Sequence, residues 1–328
     1  MDLCFSLFPL LYKYFLSNEP GNLILFRITP QRFFLLNLKY NGYVVFFIVK
    51  FYIVRIIRLV LNTYFFKSLG LFFLMDIVFS KEIKKHIKAW YPILALESTI
   101  LAHGMPFPEN YAFAKRVEKN CRKKGVAPAT IAVLDGRFHV GLNPVELKRV
   151  CQSRNFLKLS KRDLPFALSK RQSGATTVSA TIWIAYNAGL FVFSTGGIGG
   201  VHRMLESNLD ISQDLVSLSE TPVVTISSGA KSILDLPKTV ESLEALGIPV
   251  VGYKTSFFPA FYTSSSGIKV PNTIKTAKQA SLLFLNHLKV GLKSSLLIVN
   301  PIPKKKEIPK EEIDILVNDS LSEAIKKN

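Results

Sequence analysis

The sequence predicts an α/β fold, a layered domain of helices packed on a sheet, over residues 75–328. Three observations carry that expectation. Apolar runs of strand length, such as Ile93–Leu96, Ala129–Leu134 and Ser295–Val299, recur between segments of helix length. Several runs close on turns of glycine and small hydroxyl residues, as parallel strands feeding ligand loops do. Finally, the composition breaks near Met75, before which 13 of the 25 phenylalanines lie.

Each element has a local signal. Ser80 to Glu82 reads as a helix cap ahead of an amphipathic turn. After the strand at Ile93–Leu96, a helix spans Glu109 to Lys124 and stops at Gly125. The strand Ala129–Leu134 enters a two-residue Asp135-Gly136 hairpin, with Phe138-His139-Val140 returning. Pro144 near its start marks a short helix to Cys151. A Gly-Ala turn then opens a helix from Thr176 to Asn187, followed by the strand Phe191-Val192-Phe193 and a glycine loop. The strand Val223–Ile226 leads into the turn at Lys231, and Val250-Val251-Gly252-Tyr253 is a further strand. Helices over Ile274–Leu288 and Glu311–Lys327 flank the strand Ser295–Val299. No internal repeat is visible.

Residues 1–74 are a different kind of sequence. They hold eight lysines and arginines against Asp2 and Glu19, a formal charge of +6. Tyr43 to Phe66 is the best membrane candidate, yet Lys50, Arg55 and Arg58 interrupt it and no clean apolar run of spanning length forms. No small-residue cleavage pattern follows the first apolar stretch, which argues against a secretory signal. Three readings stand: a membrane-surface anchor, a poor transmembrane helix, or an extension that the active protein does not need. We take the third as the expectation, so that membrane contact arises only through residues 1–74.

The chain as a whole carries a net charge of +19. Its basic residues are dispersed, with one dense run at Lys304-Lys305-Lys306, and no RNA-binding motif or finger spacing accompanies them. A phosphorylated small molecule accounts for the charge with fewer demands than a nucleic acid does. The three cysteines, Cys4, Cys121 and Cys151, show no metal or disulfide spacing and suit a reducing, cytoplasmic setting.

The candidate chemistry sits where strands end. Lys231 follows the buried run Val223–Ile226 through Ser227-Ser228-Gly229-Ala230. A lysine desolvated there becomes an amine nucleophile toward a carbonyl carbon, whereas a loop-capping surface lysine is the plainer alternative. Glu97 ends a strand among apolar residues, which raises a carboxyl pKa and suits a general acid, or else it caps or pairs locally. Lys158, Lys161, Arg162 and Asp163 form either a phosphate clamp or a solvated loop. Gly174-Ala175-Thr176-Thr177-Val178 opens a helix whose N–H groups can face an anion. Gly196-Gly197-Ile198-Gly199-Gly200 lacks the dinucleotide spacing but implies close approach of a ligand or another strand, with His202 and Arg203 beside it. Asp210 and Asp214 stand four apart and share a face if helical, as Mg²⁺ or Mn²⁺ ligands or as acids at a helix start.

In order, A-L-E-S-T-I-L-A-H-G-M-P-F-P-E-N, P-A-T-I-A-V-L-D-G, L-S-K-R-D-L-P-F, G-A-T-T-V-S-A-T, S-T-G-G-I-G-G-V-H-R, D-I-S-Q-D-L, S-S-G-A-K-S-I-L-D-L and V-N-P-I-P resemble the pseudouridine-5′-phosphate glycosidase family, also known as indigoidine synthase A-like. The resemblance runs from about Ile93 to Pro303. It implies a layered α/β/α single domain and reversible cleavage of pseudouridine 5′-phosphate to uracil and ribose 5-phosphate. It further implies Lys231 as the Schiff-base nucleophile, Glu97 as proton donor, and Lys158, Val178, Ser212, Gln213 and Asp214 as substrate-binding positions. By the same resemblance Asp210 is the Mn²⁺ ligand, with Mg²⁺ as the alternative ion, and the protein is a homotrimer. His202 and Arg203 are added here as neighbours of the phosphate or pocket.

Two departures from the family pattern qualify these expectations. Residues 1–74 have no counterpart in the compact enzymes of the family. The family also continues past the region of Glu311 to Lys327 with a T-P-F-L-L-type motif and an asparagine expected to face the uracil, so the C-terminal segment is expected to be missing here. The alternatives to an active glycosidase are therefore a catalytically impaired, truncated member and a basic membrane-surface protein acting through residues 1–74.

Overall fold

The computed structural model describes residues 75–203 and 210–327. The stretch 1–74, with its membrane candidate, lies outside the described residues. Among those described, no helix is long and apolar enough to cross a membrane.

The alternation read from the sequence becomes a mixed sheet with helices packed against it, all within a compact unit that includes Ile77–Asn328. β1 (Ile77–Phe79) leads to α1 (Lys81–Ala89), which Ser80 caps by accepting the Ile83 N–H. Next come β2 (Ile93–Leu96), a π-helical turn (Ile100–Gly104) and α2 (Glu109–Lys123). β3 (Ala127–Leu134) and β4 (Arg137–Val140) form the expected hairpin. Asp135 and Gly136 both adopt positive φ, 52° and 75°, the twist-matched geometry of a two-residue loop. α3 (Pro144–Gln152) starts with an Asn143–Glu146 capping box and Pro144 in its first turn.

Beyond α3 run β5 (Leu157–Leu159), α4 (Leu164–Ser169), β6 (Gly174–Thr176), α5 (Val178–Asn187) and β7 (Val192–Ser194). The chain then continues through α6 (Gln213–Glu220), β8 (Val224–Ser227), α7 (Leu236–Ala245), β9 (Val250–Tyr253) and β10 (Asn272–Ile274). α8 (Ala277–Lys289), β11 (Leu296–Val299) and α9 (Lys310–Lys327) complete it.

The main strand order is β1-β4-β3-β2-β7-β8-β11-β9-β10. From β3 through β2, β7, β8, β11 and β9 to β10 every neighbouring pair is parallel. β3, β8 and β11 are buried along their whole length, as strands covered on both faces must be. β3 also forks the sheet. Its first half pairs with β2 up to Thr130, and its second half pairs antiparallel with β4 and β6. β2 therefore ends beside the fork, and the residue after it is free to leave the sheet.

Two expectations change. Gly174 to Thr176 is strand β6 rather than the start of a helix, because it pairs with β5 and with Ala132 and Val133 of β3. Likewise Ile274 ends strand β10, and the helix begins at Ala277 after a Thr276–Gln279 capping box.

Candidate active site

Parallel α/β sheets expose their ligand crevice at the carboxyl ends of the strands. Here the residues that follow β2, β7, β8, β9 and β11 are Glu97, Thr195, Ser228, Lys254 and Asn300, and all five line one cavity of about 690 Å³. Sequence reasoning identified Glu97 among them. The signal it missed in the others is the same one: a polar residue directly after a buried apolar run.

Glu97 is the electrostatic centre of the site. The surrounding protein desolvates its carboxyl, which pushes its pKa up to about 6. A hydrogen bond from the Thr195 hydroxyl opposes the rise, as do the positive charges of Lys231 and Lys158, while Asp214 reinforces it. Four residues scattered between positions 97 and 231 thus act on one carboxyl group. A carboxyl that titrates near 6 can both give and take a proton at neutral pH.

Lys231 is placed by glycine geometry. Gly229 has φ +82°, and a Cβ there would stand 2.0 Å from the Pro259 carbonyl oxygen. Ala230 bridges to Ile198, and the Lys231 N–H donates to the Ile198 carbonyl at 3.0 Å. Beyond Gly196, which lines the cavity, the glycine loop approaches chain. A Cβ on Gly197 would meet the Phe261 ring at 2.5 Å, and one on Gly199 would lie 2.2 Å from Ser212 Oγ.

Asp214 explains the closeness at Gly199. It is buried, and its two carboxylate oxygens accept the Gly199 N–H at 2.8 Å and the Ser179 N–H at 2.9 Å. One side chain thereby joins the glycine loop to the first turn of α5. Ser212 caps α6 by accepting the Asp214 N–H, and Gln213 Oε1 accepts the Arg162 N–H at 3.1 Å. Val178 is the first residue of α5, so its own N–H has no acceptor within the helix.

Lys158 lies on strand β5 and is exposed, with its charge reaching Glu97. Its expected companions are occupied elsewhere: Lys161 pairs with Glu220, and the Arg162 guanidinium stands 3.6 Å from Asp163. Asp210 and Asp214 do not share a helix face, because α6 begins only at Gln213 and Asp210 precedes its cap. Asp210 is exposed, and its Oδ2 lies 3.7 Å from His202 Nε2. Among the described residues no group of three or more histidines, cysteines and acids is gathered for a metal.

Arg203 takes up a role the sequence did not suggest. Its guanidinium donates to the Ser232 carbonyl at 3.0 Å and to the Leu234 carbonyl at 3.4 Å, within the loop that follows Lys231. It also donates to Asp314 Oδ1 at 3.2 Å and Asn318 Oδ1 at 3.4 Å on α9. The guanidinium is thus spent on holding the Lys231 loop to the last helix.

Comparison with known proteins agrees with this layout. The family model described as indigoidine synthase A like protein matches residues 82–328. The pseudouridine-5′-phosphate glycosidase of Brachyspira hyodysenteriae is 47% identical over 249 residues, covering 76% of this chain and 81% of that protein. The crystal structure of an indigoidine synthase A-like protein from Thermotoga maritima superposes with a TM-score of 0.69 at 34% identity, covering 74% of this chain and 80% of that one. The prealnumycin C-glycosynthase AlnA, solved in complex with ribulose 5-phosphate, gives a TM-score of 0.71 at 34% identity, over 76% and 82% of the two chains. With strand ends, glycine loop and Lys231 turn arranged in this order, the chain belongs to the indigoidine synthase A-like family.

Proposed function

We propose that this protein cleaves the C-glycosidic bond of pseudouridine 5′-phosphate, reversibly, to give uracil and ribose 5-phosphate. The observation that carries the reading is a carboxyl pushed up to about 6 within the field of Lys231, at the strand ends of a chain 47% identical to a glycosidase of that name. A C-glycoside offers no heteroatom leaving group, so the reaction needs an electron sink at C1′.

Lys231 and Glu97 supply it together. The Lys231 amine displaces the ring oxygen from C1′, and Glu97 donates the proton that the oxygen takes up. The nitrogen lone pair then expels the base: the C1′–C5 bond breaks, C5 of the uracil gains a proton, and an iminium remains between C1′ and Lys231. Water adds to that iminium, releasing ribose 5-phosphate and the free amine. The sum is one substrate and one water in, two products out. Lys158, the Val178 N–H and the Ser212-Gln213-Asp214 stretch are assigned to the sugar phosphate, Asp214 by holding the glycine loop and α5 in register.

Asp210 offers a single anionic oxygen donor, which suits Mn²⁺ or Mg²⁺ held with most of its waters rather than a closed protein cage. An ion there would supply positive charge next to a phosphorylated substrate. The homotrimer and the cytoplasmic setting belong to the same proposal, and sedimentation equilibrium tests the first of them.

Borohydride reduction in the presence of ribose 5-phosphate and Mn²⁺ is expected to fix a pentose phosphate covalently on Lys231, located by peptide mass spectrometry. Folded protein that traps nothing on Lys231 overturns the reading.

A further inference from the structure

Glu97 and the start of α5 are joined by bonds that no strand ladder supplies. β2, which delivers Glu97, pairs with β3 and β7, whereas β6, which delivers α5, pairs with β3 and β5. The two strands lie on successive halves of β3, Leu96 in register with Thr130 and Ala175 with Ala132, so that Ile131 stands at the fork. Across that fork Ser98 and Thr176, both 0% exposed, bond to each other. The Ser98 N–H donates to the Thr176 carbonyl at 3.3 Å, the Thr176 N–H donates to Ser98 Oγ at 2.9 Å, and the two hydroxyl oxygens lie 3.4 Å apart. The Thr176 hydroxyl donates to the Ile131 carbonyl at 2.7 Å and accepts from the Thr181 hydroxyl at 2.9 Å. Thr99 adds a longer bond, from its hydroxyl to the Ala175 carbonyl at 3.4 Å.

Each end of this clip adjoins groups assigned to the substrate. Ser98 directly follows Glu97. Thr176 is in register with Leu159, the neighbour of Lys158, and stands two residues before Val178 at the start of α5. A sugar phosphate held by Lys158 and the Val178 N–H has to present its ring oxygen to Glu97 in the same bound molecule. The span between the two ends is therefore a catalytic dimension, and a shift of about 1 Å costs a catalytic group about 100-fold. Apolar side chains of the same shape would fill this buried space equally well, whereas a fully satisfied hydroxyl network fixes one arrangement.

We propose that Ser98 and Thr176 are positioning residues of the cleavage reaction, a clip that holds the Glu97 carboxyl at a fixed reach from the phosphate contacts of Lys158 and Val178. Both are fully buried, so they act through Glu97 and α5 rather than on the substrate. The clip also keeps Glu97 at the depth where its carboxyl is desolvated. Thr195 bonds the carboxyl itself, from the end of β7, and the charges that act on it belong to Lys231, Asp214 and Lys158. Loosening the clip keeps all four of these groups but admits water around the carboxyl, which lowers its pKa toward the ordinary carboxylate value. The identity of the reaction rests on the glycosidase reading above, whereas the placement of Glu97 stands without it.

Thr176→Val removes the hydroxyl at similar volume, and Thr176→Ser keeps it. In the full-length protein, Thr176→Val should lower kcat for uracil release by about tenfold or more with KM within about threefold, and Thr176→Ser should stay within about threefold of the wild type. Glu97 is also read without substrate, by NMR titration of protein isotopically labelled at the glutamate carboxyl carbons, with Glu97→Gln assigning its signal. The Glu97 midpoint should fall in Thr176→Val and hold in Thr176→Ser. Should Thr176→Val fail to fold, Ser98→Ala serves with the same expectations, since it takes away only the acceptor of the Thr176 N–H. A folded variant of either kind with wild-type kcat and an unmoved Glu97 midpoint overturns the proposal, as does a loss confined to KM or a Thr176→Ser variant as impaired as Thr176→Val. Absence of both turnover and borohydride trapping in the wild type overturns the glycosidase reading instead, and the Glu97 midpoint then decides the clip by itself.

Discussion

Around Glu97, the wall built by the glycine loop and the start of α5 is satisfied from within, whereas the ends of β8 and β11 are not. In the first wall Asp214 takes the N–H groups of Ser179 and Gly199, and Gly197, Gly199 and Gly200 fit against Phe261, Ser212 and Thr239 with no room for a Cβ. In the second, the Ser227 hydroxyl is buried without a partner, and Ser228 and Asn300 line a cavity. Nearly all buried polar groups in proteins are paired, so the contrast separates a preorganised scaffold from strand ends that border open space. One wall fixes where Lys231 stands, and the other borders the cavity beside Glu97.

The comparison breaks most completely at Lys231. Lys231→Ala removes the only group assigned to bond covalently with C1′, and uracil release should fall by about 10⁴-fold or more. Residual turnover above that level, measured by uracil absorbance, would return Lys231 to the role of a loop residue.

The next effect is on stability. Asp214→Ala strands the buried Ser179 and Gly199 N–H groups, and each orphaned donor costs about 1–3 kcal/mol. Urea unfolding should show a loss of about 3 kcal/mol, against little or none for Ser227→Ala. Equal losses in the two variants would erase the distinction between the walls.

Arg203→Ala should act more mildly. It releases the Ser232 and Leu234 carbonyls of the Lys231 loop and the Asp314 carboxylate on α9. Removing these partly exposed bonds should cost about 1–2 kcal/mol. As a positioning residue it should lower kcat for cleavage more than it changes KM, and Asp314→Asn should reproduce part of that loss. A purely KM effect would instead place Arg203 in contact with substrate.

The sequence makes local devices legible and long-range ones obscure. The Asp135-Gly136 hairpin and the Pro144 helix start needed only residues a few positions apart, and both stand as read. Gly174-Ala175-Thr176 looked like a helix entrance because small residues serve either purpose. Its pairing with β5 and with β3, the latter some forty positions away, makes it a strand. Asp210 and Asp214 fit a helix face by spacing, yet Ser212 between them is a capping residue and sets the helix start after Asp210. Lys231 and Glu97 were readable because each follows a buried strand. Thr195, Ser228 and Asn300 obey the same rule, but a hydroxyl or an amide at a strand end carries no charge to draw attention to it.

The finest test of how the two walls share Glu97 is Thr195→Val. Burial holds the Glu97 pKa up at about 6, and the Thr195 hydroxyl, which stabilises the carboxylate by donating to it, restrains the rise. Valine removes that donor at similar volume, so the carboxyl pKa should rise further. The proton-donating form, dominant below its pKa, then survives to higher pH. The limb of the kcat/KM profile that falls as Glu97 loses its proton should therefore move to more alkaline pH, while borohydride trapping on Lys231 changes little. The sign decides the matter: an acid shift would mean that Thr195 holds the protonated carboxyl rather than the carboxylate. An unmoved limb would assign the proton donation to another group, and with it the meeting point of the two walls.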